Sequence, residues 1–366
     1  MKKLTVALLA LVSSAPLAAA QDWKAEWDRT VAAAEQEGTV IVDTVSDKAW
    51  QEFVAKEFPA AFPKIKLDAT RLSPPDFVAR VRVEREAGKY LWDVAAAGPN
   101  PMYALYKDGA VDPILPELIL PETKDEAAWG GWNEALIDKP HRYVFSMSSY
   151  ISSPFYNAAF VPAEKVQHLG LKILLDPAYK GKIAWQEPTI PGSGHSFALD
   201  LREHLGDEGL KQLILDQHVI FDRNMQTVVE DMARGTVWFT IGPATRSLIG
   251  PYVQAGAGVK TDLHMIGNKP EDSHVTDGGN TISVMNKRPH PNAARVFVNW
   301  ILQKDVQYRL AKAMDEDSRR NDIPPVSSPD EARIPGAKYL APPREEEAGA
   351  LEDAVNYIKQ IRRDAR

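Results

Sequence analysis

The sequence predicts an α/β protein of two lobes, each lobe a mostly parallel sheet flanked by helices. Three observations point there: the chain's length, strands that alternate with helices, and two breaks rich in glycine and proline. The chain has 366 residues, beyond the roughly 250–300 at which a single hydrophobic core stops growing, so two cores are expected. Its 44 % hydrophobic and 25 % charged content is ordinary for a folded body. Alternating strands and helices favour an open sheet, because parallel neighbours need a long crossover, usually helical, between them.

The first twenty residues stand apart. Lys2 and Lys3 precede an apolar run over residues 4–12 that only Thr5 interrupts, and Ala18-Ala19-Ala20 supplies the small-residue pattern of a cleavage site. The run is shorter than the about 20 apolar residues a helix needs to span a bilayer. Residues 1–20 therefore read as a signal peptide cleaved after about Ala20, with Gln21 or Asp22 near the mature start. The expected location is a bacterial periplasm. There is no cysteine, which excludes a lipid-anchored N-terminal thiol, disulfides, thiolate metal sites and cysteine nucleophiles. A formal net charge of −7 argues against nucleic acid or an anionic membrane surface as partner, since both select basic faces. Beyond the leader there is no second apolar run of spanning length, no low-complexity tract and no repeat of solenoid period.

Along the mature chain, residues 23–37 predict an amphipathic helix ended by Gly38, and residues 39–42 a short buried strand. Ser46-Asp47 caps a helix over 48–57, and residues 64–69 form the next strand. Ser73-Pro74-Pro75-Asp76 opens a helix through about Glu86, with a serine cap and proline in the first turn. Residues 92–97 are another strand, after which Gly98-Pro99-Asn100-Pro101 marks an exit from the first lobe. Residues 143–156 alternate like a strand, 182–185 are a strand, and Pro191-Gly192-Ser193-Gly194-His195 leads into a helix over 196–205. A helix over 222–234, a strand over 236–241 and a helix opened by Gly242-Pro243 follow. Asp277-Gly278-Gly279-Asn280 is the second break, before a strand over 281–285, a long helix over 291–314 and a final charged helix over 345–362. The expected lobes are residues 21–100 with 278–315, and 101–277 with 316–366.

Several phrases in this order carry a family resemblance: Phe155-Tyr156-Asn157, the run Leu175-Asp176-Pro177-Ala178-Tyr179-Lys180-Gly181-Lys182, Met232-Ala233-Arg234-Gly235 before a strand, and Pro291-Asn292-Ala293-Ala294-Arg295 opening a helix. Together they resemble the extracellular solute-binding proteins of ABC importers, in the group that includes ferric-iron, thiamine, phosphonate and sugar-phosphate binders. The resemblance implies the type II periplasmic binding fold, two α/β lobes joined by two hinge crossovers with a small-molecule ligand between them. It also implies a membrane permease as partner, no resident cofactor, and action as a monomer.

Elementary chemistry places a site in the same region. At the carboxyl ends of parallel strands, the following helix starts offer free N–H groups and a dipole that favours anions. Five such turns carry small, hydroxyl or cationic residues: Thr44-Val45-Ser46, Arg71-Leu72-Ser73, Gly98-Pro99, Ser193-Gly194-His195 and Thr245-Arg246. Tyr150 and Ser152 lie on a strand beside them, and Asn280 ends the second break. Ser46 and Ser73 read equally as helix caps, Arg71 and Arg246 equally as solvated arginines, and Tyr150 equally as core packing. The two glycines around Ser193 would let a ligand approach the backbone, although a flexible loop is the alternative.

Members of the iron branch hold ferric ion with an adjacent tyrosine pair in the loop matching Gly242-Pro243-Ala244-Thr245-Arg246. That loop has no tyrosine here, so the sequence points to an organic anion such as a carboxylate, phosphonate or sugar phosphate, and ferric iron is the alternative. No nucleophile elbow, zinc-protease helix or phosphate-cradling lysine loop is present. His195 and Asp200 are spaced for neighbouring faces of one helix, but no serine or metal-ligand set stands beside them in the sequence; the remaining alternatives are a secreted hydrolase with dispersed catalytic residues and a ligand-presenting sensor protein.

Overall fold

The computed structural model describes residues 15–44, 48–242, 262–277, 279–329 and 331–365. Among the described residues thirteen strands follow in chain order: β1 (Thr39–Asp43), β2 (Lys66–Thr70), β3 (Val94–Ala97), β4 (Val111–Asp112), β5 (Phe145–Ser146), β6 (Tyr150–Ser152), β7 (Phe155–Asn157), β8 (Ile183–Gln186), β9 (Ile220–Asp222), β10 (Phe239–Ile241), β11 (Leu263–Met265), β12 (His274–Thr276) and β13 (Thr281–Met285). They build two large sheets and one small one. The first has the order β2-β1-β3-β13-β4, with β5 also on β13; the second has β9-β8-β10-β7-β11; and β6 pairs with β12 alone.

The two large sheets share one plan. In each, three strands run parallel (β2, β1 and β3; β9, β8 and β10) and the next strand is antiparallel to them. That antiparallel member is β13 in the first sheet and β7 in the second, and each directly follows a strand of the small sheet. Both sheets are therefore mixed rather than mostly parallel, because the strand entering from the other lobe inserts in the reverse direction.

Each sheet carries its own core on both faces, and its central strands β3, β8, β10 and β13 are buried at every residue. Strands covered on both sides read as unbroken small or apolar runs, as Val94-Ala95-Ala96-Ala97 does. Against the first sheet pack the helices Lys48–Ala61 and Pro291–Ile301, whose Phe58 sets its ring 5.2 Å from Phe297 and 5.1 Å from Trp300. Phe77, Trp92, Met102 and Leu105 fill its opposite face. In the second lobe the helix Ser193–Asp216, bent at Gly206 with φ 72°, covers one face with the C-terminal helix Ala348–Asp364 packed on it. Val228, Val229 and Met232 of the helix Met225–Ala233 cover the other.

Several expected boundaries move. Residues 98–101, read in the sequence as the exit from the first lobe, open the helix Pro99–Lys107, and β4 and β5 then pair with β13 in the first sheet. The passages between sheets instead run through β6 and β12, so the first crossing comes after Ser146 and the second after Thr276. The stretch read as one strand-like segment over 143–156 is three short strands in three sheets. The expected helix over 291–314 is two, Pro291–Ile301 and Lys304–Met314. Ile220–Asp222 is strand, and Asn224, whose side chain accepts from the Gln226 N–H, caps the helix after it. The helix expected after Gly242 lies outside the described residues.

The tail that follows the helix Lys304–Met314 touches both lobes. Arg320 is buried against the first, donating to the carbonyls of Glu122 and Leu302, while the Val275 N–H of β12 donates to the Leu340 carbonyl. The C-terminal helix then buries Val355, Ile358 and Ile361 in the second core. Ile358 is fully buried there. Ile358→Ala should cost about 2–5 kcal/mol of transfer and cavity energy, read as a lower urea midpoint. An unchanged midpoint would show that this helix is not part of the core.

Candidate functional site

At the rim of the first lobe, the ends of β1 and β2 are tied together. The Thr44 N–H donates to the Thr70 carbonyl at 3.0 Å, and the Leu72 N–H donates to Asp43 Oδ1 at 3.2 Å. Thr44 is buried by this, while Arg71 and Ser73 are exposed. Ser73 is a helix cap: its Oγ accepts from the Asp76 N–H at 3.4 Å and donates to Asp76 Oδ2 at 2.5 Å. Gly98 occupies the cap position of Pro99–Lys107 without a side chain to offer.

Two helix starts of this lobe, at Pro74 and Pro99, have few donors to give. Proline has no N–H, and prolines stand at 74, 75, 99 and 101, within the first turns whose N–H groups are otherwise free. The anion-binding character expected at these turns is reduced accordingly. What the rim does hold is a buried acid. Asp43 is 2 % exposed, and burial pushes its carboxyl up to about 7, although N–H groups of Leu72 and Thr44 pull the other way. A carboxyl protonated near neutrality donates a hydrogen bond as well as accepting one. The sequence reasoning passed over it; a carboxylate closing a buried apolar strand was the available signal.

The rim of the second lobe is built around Gln186, the last residue of β8. Its Oε1 accepts from Ser193 Oγ at 2.6 Å and from the Gly194 N–H at 3.0 Å, so an amide oxygen occupies the start of the helix Ser193–Asp216. Gly194 has a packing reason to be glycine: a Cβ there would lie 2.0 Å from the Gln186 carbonyl oxygen. Its small size serves contact with β8 rather than access for a ligand. Gly242, after β10, packs on the same spot, since its Cβ would stand 3.0 Å from Gly194 Cα. His195 Nδ1 lies 2.8 Å from the Pro188 carbonyl. A carbonyl only accepts, so Nδ1 carries the proton and a neutral ring leaves Nε2 as an acceptor. The loop between is clasped from the C-terminal helix by Arg362, 2.7 Å from Glu187 Oε1. Burial opposes the charge on Glu187, but Thr189 and Arg362 outweigh it and hold its carboxyl below the usual range.

Tyr150, Ser152 and Asn280 sit where the chain passes between the sheets. Tyr150 OH donates to Glu316 Oε1 at 3.2 Å, and buried Asn280 donates through Nδ2 to Glu316 Oε2 at 3.0 Å and Ser148 Oγ at 3.1 Å. Ser152 is half-buried opposite His274 in the β6–β12 pair. The structure thus brings Tyr150 and Asn280 together, Ser193 and Gly194 together, and Thr44 beside the Arg71 turn. Ser46, Thr245 and Arg246 lie outside the described residues.

His195 does not pair with Asp200. Asp200 is fully buried between His204, with Nδ1 at 3.1 Å, and His274 of β12, with Nδ1 at 3.4 Å. Burial opposes the Asp200 charge, yet the two histidines hold its carboxyl below the usual range, and Asp200 raises His204 in turn. Among the described residues no three His, Cys, Asp or Glu side chains gather as a metal site.

A cavity of about 1030 Å³ lies elsewhere, between the β6–β12 pair and the tail, and Trp129, Ser149, Asp277, Arg319 and Arg333 are among its walls. None of the ligand-binding candidates singled out in the sequence lines it. It is assembled from segments as far apart in the chain as Trp129 and Glu347, so no local motif announces it.

The Asp43 acid gives a pH signature. The folded protein keeps this proton up to about 7, whereas an unfolded chain releases it near the ordinary carboxyl value of about 3.9. Between those values the folded state binds more protons, so this contribution is fully present below about 4 and is lost as pH rises through about 7. Asp43→Asn should therefore lose less thermal stability than the unchanged protein between pH 5 and pH 8. Parallel melting curves across that range would contradict the assignment.

Comparison places these features in a family. No curated protein sequence matches the chain. Residues 53–316 match the family model of bacterial extracellular solute-binding proteins. Among solved structures, iron-bound HitA from Pseudomonas aeruginosa is similar with TM-score 0.63 and 17 % identity, covering 88 % of this chain and 99 % of its own. The Trichodesmium protein IdiA (FutA), solved with iron and citrate, gives 0.65 at 12 % identity, with 88 % and 99 % covered. AfuA from Actinobacillus pleuropneumoniae, a periplasmic binding protein with fructose-6-phosphate bound, gives 0.58 at 17 %, with 88 % and 97 % covered. A fold of two lobes joined by short crossing strands and a family match over most of the chain agree: this protein belongs to the bacterial extracellular solute-binding proteins.

Proposed function

We propose that this binding protein, exported by removal of residues 1–20, captures a small polar organic anion between its lobes by hinge closure and delivers it to a membrane permease. The observation that carries the anionic reading is Gln186 Oε1, which accepts from Ser193 Oγ and the Gly194 N–H at the start of a long helix. A helix start that already gathers two donors on one oxygen is suited to a carboxylate or phosphoryl oxygen in its place. His195 beside it supplies a further polar edge, and Asp43 on the other lobe a neutral acid able to donate.

Relatives of the same fold bind both kinds of cargo: HitA and the Trichodesmium protein hold iron, and AfuA holds fructose-6-phosphate. Against iron stands the loop after β10, where Gly242-Pro243-Ala244-Thr245-Arg246 lacks the tyrosine pair of the iron branch. Arg246 instead suits a carboxylate or phosphate. The family binds solutes, and among the described residues His195 and Asp200 have partners other than each other.

Titration calorimetry against phosphorylated sugars, phosphonates, small carboxylates and ferric citrate tests the proposal. One of the organic anions should bind, and Arg246→Ala should weaken it more than tenfold, since a charged hydrogen bond contributes about 1.5–3 kcal/mol. Tight ferric binding without organic-anion binding would refute the reading, and a loss below threefold would return Arg246 to the surface.

A further inference from the structure

We propose that the cavity between the hinge strands and the C-terminal tail is a second ligand site, which takes a small carboxylate- or phosphate-bearing molecule through Arg319 and Arg333. The inference rests on two charged groups that line one space and pair with nothing in it. Arg319 is 7 % exposed, its Nε has no partner, and its side chain's one recorded hydrogen bond among the described residues is 3.4 Å from Nη2 to Ser146 Oγ. Asp277 is 4 % exposed; one oxygen accepts from the Gly279 N–H at 2.8 Å and Oδ2 has no partner. Both line the same cavity of about 1030 Å³, and neither forms an ion pair among the described residues.

Neighbouring Arg320 shows what a purely structural arginine looks like here. It is equally buried, but its Nε and Nη2 bond Asp322 and its Nη1 bonds two carbonyls, so every side of the guanidinium is used. Arg319 has no such shell. Burying a charge without direct hydrogen-bonded partners is costly, and burial together with the nearby Arg333 charge depresses Arg319 to about 10, although the Asp277 and Glu134 charges pull the other way.

The other acids on the wall are committed. Asp317 accepts from the Val326 and Ser327 N–H groups, Glu134 faces Arg344, and Glu347 accepts from the Ala341 N–H. Arg333 holds Ser149 Oγ through Nη1 at 2.7 Å and is otherwise exposed at the mouth. Two guanidiniums with open donors suit a planar or tetrahedral oxyanion. Asp277 Oδ2 offers the same molecule a partner for a hydroxyl or ammonium group. The space is large enough for an organic molecule rather than a lone ion.

Calorimetry of the mature chain with L-malate and, separately, inorganic phosphate tests this. At least one probe should bind, and Arg333→Gln, a change at an exposed position, should weaken it at least tenfold; Arg319→Lys should do the same with the fold retained by circular dichroism. Binding of malate alone identifies a carboxylate site, and of phosphate alone a phosphoryl site. If neither probe binds, or if Arg333→Gln binds as tightly as the unchanged protein, the site does not exist as proposed. The latter result would move the probe elsewhere without touching the inter-lobe reading.

Discussion

Two antiparallel strands of three residues each, β6 and β12, join two sheets that each have a complete core. A link so thin does little to fix the angle between the lobes; the groups lying across it do more. Glu316 holds Tyr150 from β6 and Asn280 from the segment after β12, and Asn280 also reaches Ser148 at the first crossing. One carboxylate thus bonds residues of both passages. The ends of β13 and β7, which follow the two crossings, are locked into the interior of their own sheets, which leaves the few residues between them as the place where the proposed hinge would bend.

The site chemistry follows from how each lobe treats its helix starts. In the first lobe prolines remove donors at two helix starts, and a buried carboxyl stands at the rim. In the second a glutamine side chain fills the position that an anion would take, held by a serine hydroxyl and a backbone N–H. A ligand oxygen at that point exchanges one acceptor for another, so its net gain comes from charge and from what the opposite lobe adds. In the proposed capture, that dependence on both lobes would make binding and closure one event, because a ligand shifts an equilibrium only by its differential contacts with the two states.

Much of this was legible in the sequence. Apolar runs closed by turn residues located β1, β3, β8 and β13 to within a few residues, and a serine before two prolines announced the Ser73 cap. The two-lobe plan followed from length and alternation. What failed was assignment to sheets: alternation over residues 143–156 says that strands occur but not which partner each finds, and Gly98 marks a helix cap as readily as a lobe exit. The proline effect at residues 74, 75, 99 and 101 was readable, since a missing N–H is a property of the residue. Gln186 and Arg319 were not, because a cap reached across a loop and an arginine short of partners exist only once distant segments meet.

The central claim is that the two cores move as bodies about the β6–β12 pair when a ligand bridges them. Small-angle scattering of the mature protein, free and saturated with the anion that calorimetry identifies, measures this directly. The account predicts a smaller radius of gyration in the saturated protein, with the distance distribution losing its longest vectors. Scattering curves that superimpose at full saturation would contradict it.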